Sequence, residues 1–217
     1  MKYIIGVDEV GRGPLAGPVS VCAVLCEESL YKKLKRNKNL PASGRDSKKL
    51  SPNSRQNYST TLKDLMSKIM SKRLFDISVA HISNKEIDRM GISYAIKKAI
   101  QKCLKSLLKI QDSALDEEFH VLLDGGLRVP VEFMNKYPVK QIKQTTIIKG
   151  DEKEKIIAWA SILAKVSRDA LLVKVHKKYP EYDFHIHKGY GTVKHRAMIS
   201  KYGLSEIHRK SFCKKFL

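Results

Sequence analysis

The chain has 217 residues, room for one ordinary domain that can bury a core without disulfides or structural metals. Its 42 Lys and Arg against 22 Asp and Glu leave a net charge of +20, more than solubility requires, and that excess calls for a polyanionic partner. A hydrophobic share of 42% excludes a disordered chain, no apolar run is long enough to span a bilayer, and Asp8 and Glu9 come too early for a secretory leader. The expectation is a soluble, cytoplasmic protein that faces nucleic acid. Cys22, Cys26, Cys103 and Cys213 form no C-x2-C pair, so they read as small core residues in a reducing compartment.

In chain order, Tyr3–Val7 and Val19–Leu25 are apolar runs that read as strands, joined by the Gly- and Pro-rich loop Gly11–Pro18. The basic run Lys32–Lys38 opens an exposed loop expected over 35–47, serving general electrostatics or simply a solvated face. Ser51-Pro52 is an N-cap with proline at the first helical position, and Leu62, Leu65, Met66, Ile69 and Met70 stripe a helix expected to reach Ser71. Leu74–Ile82 alternates as a strand. Ser83-Asn84-Lys85-Glu86 is a capping box opening one long helix to Lys109, with Lys97, Lys98, Lys102 and Lys105 on its polar face. Phe119–Leu123 is a short strand running into Asp124-Gly125-Gly126, and Val139–Ile148 reads as another. A helix over 154–178 presents the small residues Ala158, Ala160, Ser161 and Ala164 for close packing on a sheet. A loop over 179–192 and a last short helix over 193–201 follow. With no repeat and no dividing linker, the pattern is a mixed α/β domain with a basic, helical C-terminal part.

The acids at element ends carry the chemistry. Asp8 and Glu9 end the first strand, Asp124 ends a later one, and Asp151 opens a helix after Gly150. Ligands gather beyond strand ends in open α/β sheets, and grouped carboxylates repel unless a cation intervenes. A pair of oxygen-seeking divalent ions would explain such a group in a basic protein, through phosphodiester hydrolysis. Four separate acids held by solvent or helix dipoles would explain the spacing as well. His185 and His187 lack a zinc-spaced partner and read as surface or phosphate-facing residues.

The surroundings of these acids decide between the two readings. Gly6-Val7-Asp8-Glu9-Val10-Gly11-Arg12-Gly13-Pro14-Leu15-Ala16-Gly17-Pro18-Val19 closely resembles the opening motif of type 2 ribonuclease H (ribonuclease HII). The resemblance continues in order through Asp46-Ser47-Lys48-Lys49-Leu50, Leu123-Asp124-Gly125, Lys149-Gly150-Asp151, the block from Ala160 to Asp169, Lys188-Gly189-Tyr190-Gly191-Thr192 and His195.

This resemblance implies a single ribonuclease H-like catalytic domain over 1–217, a mixed sheet flanked by helices, with a helical and loop extension from about 180. It implies an endonuclease dependent on two Mg2+ or Mn2+ ions, acting on the RNA strand of RNA–DNA hybrids. It further implies incision 5′ to a ribonucleotide embedded in duplex DNA, as in ribonucleotide excision repair, leaving 3′-hydroxyl and 5′-phosphate ends. The metal ligands would be Asp8, Glu9, Asp124 and Asp151. Gly11, Arg12 and Gly13 would inspect the 2′-hydroxyl, since glycine lets backbone approach a sugar closely. Ser47 and Lys48 would hold phosphates, and Tyr190 would pack on the deoxyribose after the ribonucleotide. Asp169 reads instead as a local helix partner.

Two departures stand out: the longer spacing from Asp124 to Asp151, with an enlarged segment over 127–145, and Trp159 where relatives carry a small residue. The type 3 enzymes carry a domain ahead of the acidic motif, and Asp8 lies too near the start here to expect one. A non-catalytic hybrid-binding protein is disfavoured by the intact acids. A monomer is expected, with a sliding clamp as a partner for the basic C-terminal tail.

Overall fold

Alternation along the second strand sets the layering. The computed structural model describes residues 1–41, 50–69, 74–108, 117–136 and 142–216. The strands are β1 (Lys2–Val10), β2 (Val19–Glu27), β3 (Phe75–Ile82), β4 (Glu118–Asp124) and β5 (Ile142–Ile147). The helices are α1 (Glu28–Leu34), α2 (Pro52–Lys68), α3 (Asn84–Met90), α4 (Ile92–Leu108), α5 (Val131–Lys136), α6 (Gly150–Lys153), α7 (Lys155–His176), α8 (Phe184–His187) and α9 (Val193–Tyr202). Val19, Val21, Ala23 and Leu25 of β2 join the core under α4, whereas Cys22, Val24 and Cys26 join the core under α7. Period-two side chains thus bury both faces of one strand, and a helical layer covers each face.

The five strands lie in the order β3-β2-β1-β4-β5. β1 pairs antiparallel with β2 and parallel with β4, and β4 pairs parallel with β5. Opposite Val7 stands Leu123, so the acids that follow on β1 and β4 emerge side by side at one edge. This is the mixed α/β sheet that the order of runs implies.

Several elements differ from the sequence reading. The helix expected from the capping box breaks into α3 and α4 at Gly91, whose φ of 80° ends the first piece. An unexpected helix, α1, is capped by Glu27, whose carboxylate accepts the amides of Ser29 and Leu30. Within the loop expected to be exposed, Leu40 is buried and the carbonyl of Pro41 accepts Nε1 of Trp159 at 3.1 Å. That bond, with Tyr31 and Phe75 around the indole, accommodates a fully buried Trp159 beneath the sheet. The enlarged segment over 127–145 is not a free loop where it is described. Leu127, Val129 and Phe133 join the α4 core, and Gln144 accepts the amide of Val129. The loop expected over 179–192 contains a 3-10 turn (Pro180–Tyr182) and α8. Among the described residues no helix is long and apolar enough to cross a membrane.

The C-terminal part is stitched to the loop after β1. Leu15 and Ala16 amides donate to Gly189, Gly17 donates to Ile207, and Arg209 donates to Leu15. Ala16 also shares a small core with Leu172, Tyr182 and Phe184.

Candidate active site

Asp8 and Glu9 close β1, and Asp124 closes the neighbouring parallel strand β4. One carboxylate oxygen from each lies within 4.8 Å of the others. Asp8 is buried, and its Oδ1 accepts the Glu9 amide at 2.7 Å. Asp124 Oδ1 accepts the amide of Gly150 at 2.6 Å, tying the start of α6 to the end of β4. Asp151, in that same first turn, lines the cleft of about 390 Å³ that the trio opens into, without belonging to the trio. Arg55, Ser161, Lys165 and Tyr190 complete the wall.

The electrostatics are those of crowded acids. Burial, then the charge of Glu9, pushes Asp8 well above the usual carboxylate range; Asp124 adds to the push, and the Ser161 hydroxyl opposes it. Burial, then Asp124, raises Glu9 as well. Arg12 Nη1, 3.9 Å from Glu9, opposes that rise and is outweighed by burial and Asp124. An oxygen-only donor set of this kind fits a hard divalent ion, because a cation among the carboxylates would reverse both shifts.

The structure also brings Tyr190 to this cleft. Its ring is 41% exposed and lies 5.9 Å from both the Lys165 ammonium and the Arg168 guanidinium. Gly189 makes the placement possible: φ is 84°, and a Cβ there would meet the carbonyl oxygen of Ala16 at 2.4 Å. Gly11, Arg12 and Gly13 follow β1 directly; Gly11 is buried at φ 85°, and Arg12 is exposed. Ser47 and Lys48 lie outside the described residues. Asp169 pairs with Lys165 at 2.9 Å, the local helix contact that its position suggests.

Sequence reasoning missed two groups. The first is the pair Arg168 and Arg209, fully buried, whose donors reach backbone carbonyls of the loop over 11–18 and of Lys188. The second is a histidine chain behind Tyr190. The Tyr190 carbonyl can only accept, so His195 Nδ1 carries the proton between them at 2.9 Å. The Ser205 amide donates to His208 Nδ1, so His208 is protonated at Nε2 and donates to His195 Nε2 at 3.0 Å. His187 is buried too, between the Tyr182 carbonyl and the Gly189 amide, which corrects its reading as a surface residue. Nothing in the spacing of His195 and His208 announces this; it exists only once the Tyr190 turn, α9 and the segment over 205–208 meet.

A pH dependence follows from that chain. Burial lowers His195 and His208 from 6.5 to about 4. Unfolded rings bind protons that folded rings refuse, so stability is complete above pH 6.5 and is lost as pH falls toward 4. The loss approaches about 3 kcal/mol per ring. Melting temperature measured across this range should fall steeply in the wild type and less steeply in His208→Gln; an equal slope in both would acquit the pair.

A mixed five-stranded sheet with carboxylates at the ends of adjacent central strands defines an enzyme of the ribonuclease H class. Solved structures agree on the fold. Ribonuclease H2 from Pyrococcus horikoshii matches with a TM-score of 0.67 at 23% identity, over 99% of this chain and 96% of that one. The ribonuclease HII of a PCNA complex from Archaeoglobus fulgidus matches with a TM-score of 0.67 at 22% identity, over 95% and 93%. A ribonuclease HIII (Bst) in complex with Mn2+ matches at 0.66 and 16% identity, over 93% of this chain and 63% of that one.

In sequence, the ribonuclease HII family model matches residues 5–215. Ribonuclease HII of Clostridium beijerinckii is 40% identical, covering 100% of this chain and 69% of that protein; that of Caldicellulosiruptor bescii is 41% identical, covering 100% and 89%. The chain belongs to the ribonuclease HII family, whose members hydrolyse RNA in RNA–DNA hybrids.

Proposed function

We propose that this ribonuclease is a metal-dependent endonuclease that cuts on the 5′ side of a ribonucleotide at an RNA–DNA step, including one ribonucleotide embedded in duplex DNA. The observation that carries the reading is the sharing of one cleft by the acidic trio and Tyr190. Asp8, Glu9 and Asp124 would hold Mg2+ or Mn2+, with Asp151 completing the set from the cleft wall. Bound there, such ions would supply charge neutralisation at the scissile phosphate and lower the pKa of water for attack, the chemistry that leaves 3′-hydroxyl and 5′-phosphate ends. The chain's own part is positioning. Gly11, Arg12 and Gly13 face the 2′-hydroxyl and adjoining phosphate. Tyr190, held over Lys165 and Arg168, offers its ring face to the sugar that follows. Ser47 and Lys48 contribute phosphate contacts that place the duplex without reading its bases.

This assignment makes the protein a monomeric, cytoplasmic enzyme of ribonucleotide excision. The Archaeoglobus complex with PCNA supports a sliding clamp as partner, met by the C-terminal tail.

Tyr190→Ala tests the junction role. Losing aromatic packing costs about 1–3 kcal/mol, or roughly 5- to 150-fold. The loss is expected on a duplex with a single ribonucleotide and much less on a long hybrid, where neighbouring linkages offer other contacts. Tyr190→Phe should retain most activity on both. Equal losses on both substrates for Tyr190→Ala would reduce Tyr190 to loop packing.

A further inference from the structure

His176 ends α7, Asp183 precedes α8 in a left-handed conformation at φ 54°, and His185 stands in the first turn of α8. The fold brings them together outside the catalytic cleft. One nitrogen of each ring and one carboxylate oxygen lie within 4.8 Å of one another, and the two ring centroids are 3.8 Å apart. A second observation is independent of that proximity. Nδ1 of His176 is buried and has no hydrogen-bond partner among the described residues. A buried ring nitrogen left without a partner is costly, and a metal ion is one of the few things that can satisfy it in this setting.

We propose that His176, Asp183 and His185 form a second metal site, selective for a borderline divalent ion of the Zn2+ type. The donor chemistry separates it from the catalytic acids. Two imidazoles and one carboxylate suit Zn2+ in four-coordination with a water, whereas Mg2+ prefers the oxygen-only trio. The donors lie within 4.8 Å of one another, and His185, an exposed residue on a short helix, is free to adjust toward α7 as an ion binds. Lys194 is the resident competitor: its ammonium lies 2.6 Å from the Asp183 carboxylate and holds that group ionised below its usual range. An exposed pair of this sort contributes little, so a divalent ion can displace it. Occupancy would pin the end of α7 to the turn that leads through His187 and Gly189 to Tyr190.

The test is calorimetric titration of the full-length protein with Zn2+ in excess Mg2+, which keeps the carboxylate cleft filled. Wild type should bind one Zn2+. His176→Gln and His185→Gln should each weaken that binding about tenfold or more, since even the loss of a partner behind a ligand costs that much. Lys194→Ala should tighten it several-fold by removing the competitor. Co2+ adds a spectroscopic readout: a four-coordinate site with imidazoles absorbs strongly in the visible, an octahedral oxygen site weakly. The band should appear in wild type and vanish in both histidine variants, with their metal-free melting temperatures and hybrid cleavage unchanged. No Zn2+ uptake in excess Mg2+, or uptake and a Co2+ band indifferent to both histidine substitutions, would overturn the proposal.

Discussion

Asp8→Asn and Asp124→Asn should each abolish cleavage while leaving hybrid binding nearly intact. The acids meet one another at the strand ends, while a net charge of +20 is available to phosphates elsewhere, so removing one carboxylate spares the electrostatics of association. Transition-state stabilisation by a two-ion centre is worth several kcal/mol, so the rate should drop by at least about a thousandfold. Retention of more than about a tenth of the wild-type rate would remove that residue from the metal ligands.

Stability supplies a second, independent readout at Asp8. Burial and Glu9 hold its carboxyl well above the usual range, so its contribution to folding is present below the unfolded value and is lost as pH rises through the folded one. Without metal, ionising this buried group is therefore a burden on the fold, which asparagine removes at the cost of one hydrogen bond to Ser161. Desolvation is the largest of the opposing effects and decides the sign. In EDTA, Asp8→Asn should melt no lower than wild type. Added Mg2+ should raise the wild-type melting temperature and leave the variant's almost unmoved.

The site was legible in the sequence where its signal is local, and illegible where it depends on chain crossings. Asp8, Glu9 and Asp124 could be singled out because each acid follows an apolar run, and the parallel pairing of β1 with β4 brings those run ends to one edge of the sheet. Tyr190 was singled out through the resemblance of its block, Lys188 to Thr192, and its flanking glycines alone did not set it apart from a packing residue. The break at Gly91 was not, because a single glycine inside a helical pattern is ordinarily tolerated, and only its φ of 80° ends α3. The burial of Leu40 and Pro41 was hidden behind a run of lysines; the anchor is Trp159, more than a hundred positions away. Arg168 and Arg209 look like two more charges in a chain with 42 of them, and composition gives no reason to place either inside.

Those two arginines carry the last expectation. Arg209 donates from Nε to Gly17 at 2.9 Å, from Nη1 to Arg12 at 3.0 Å and from Nη2 to Gly11 at 2.7 Å. Arg168 donates to Pro18, Ala16 and Lys188. Between them they hold the loop that follows β1 and the turn that carries Tyr190. Burial, then the charge of Arg168, lowers Arg209 to about 9, which is the cost of packing two guanidinium groups into one interior. The opposing gain is three charge-assisted bonds to carbonyls of which two, on Gly11 and Gly17, belong to buried residues.

The carbonyls should win. Arg209→Met removes the charge but orphans acceptors that water reaches poorly, and each buried unmet acceptor costs about 1–3 kcal/mol. A net loss of about 3 kcal/mol is expected, or roughly 6–12 °C in melting temperature for a chain of this size. Arg209→Lys should recover little of it, because one ammonium on a flexible stem cannot serve three carbonyls spread over the planar fork of a guanidinium. Below the melting transition, both variants should cut a single embedded ribonucleotide less well than a long hybrid, since the loop over 11–13 loses its definition while the acidic trio stays intact. A melting temperature within about 2 °C of wild type for Arg209→Met would mean that relief of the buried charge balances the lost bonds. The brace would then be a neutral feature of the fold, with no hold over the loop beside β1.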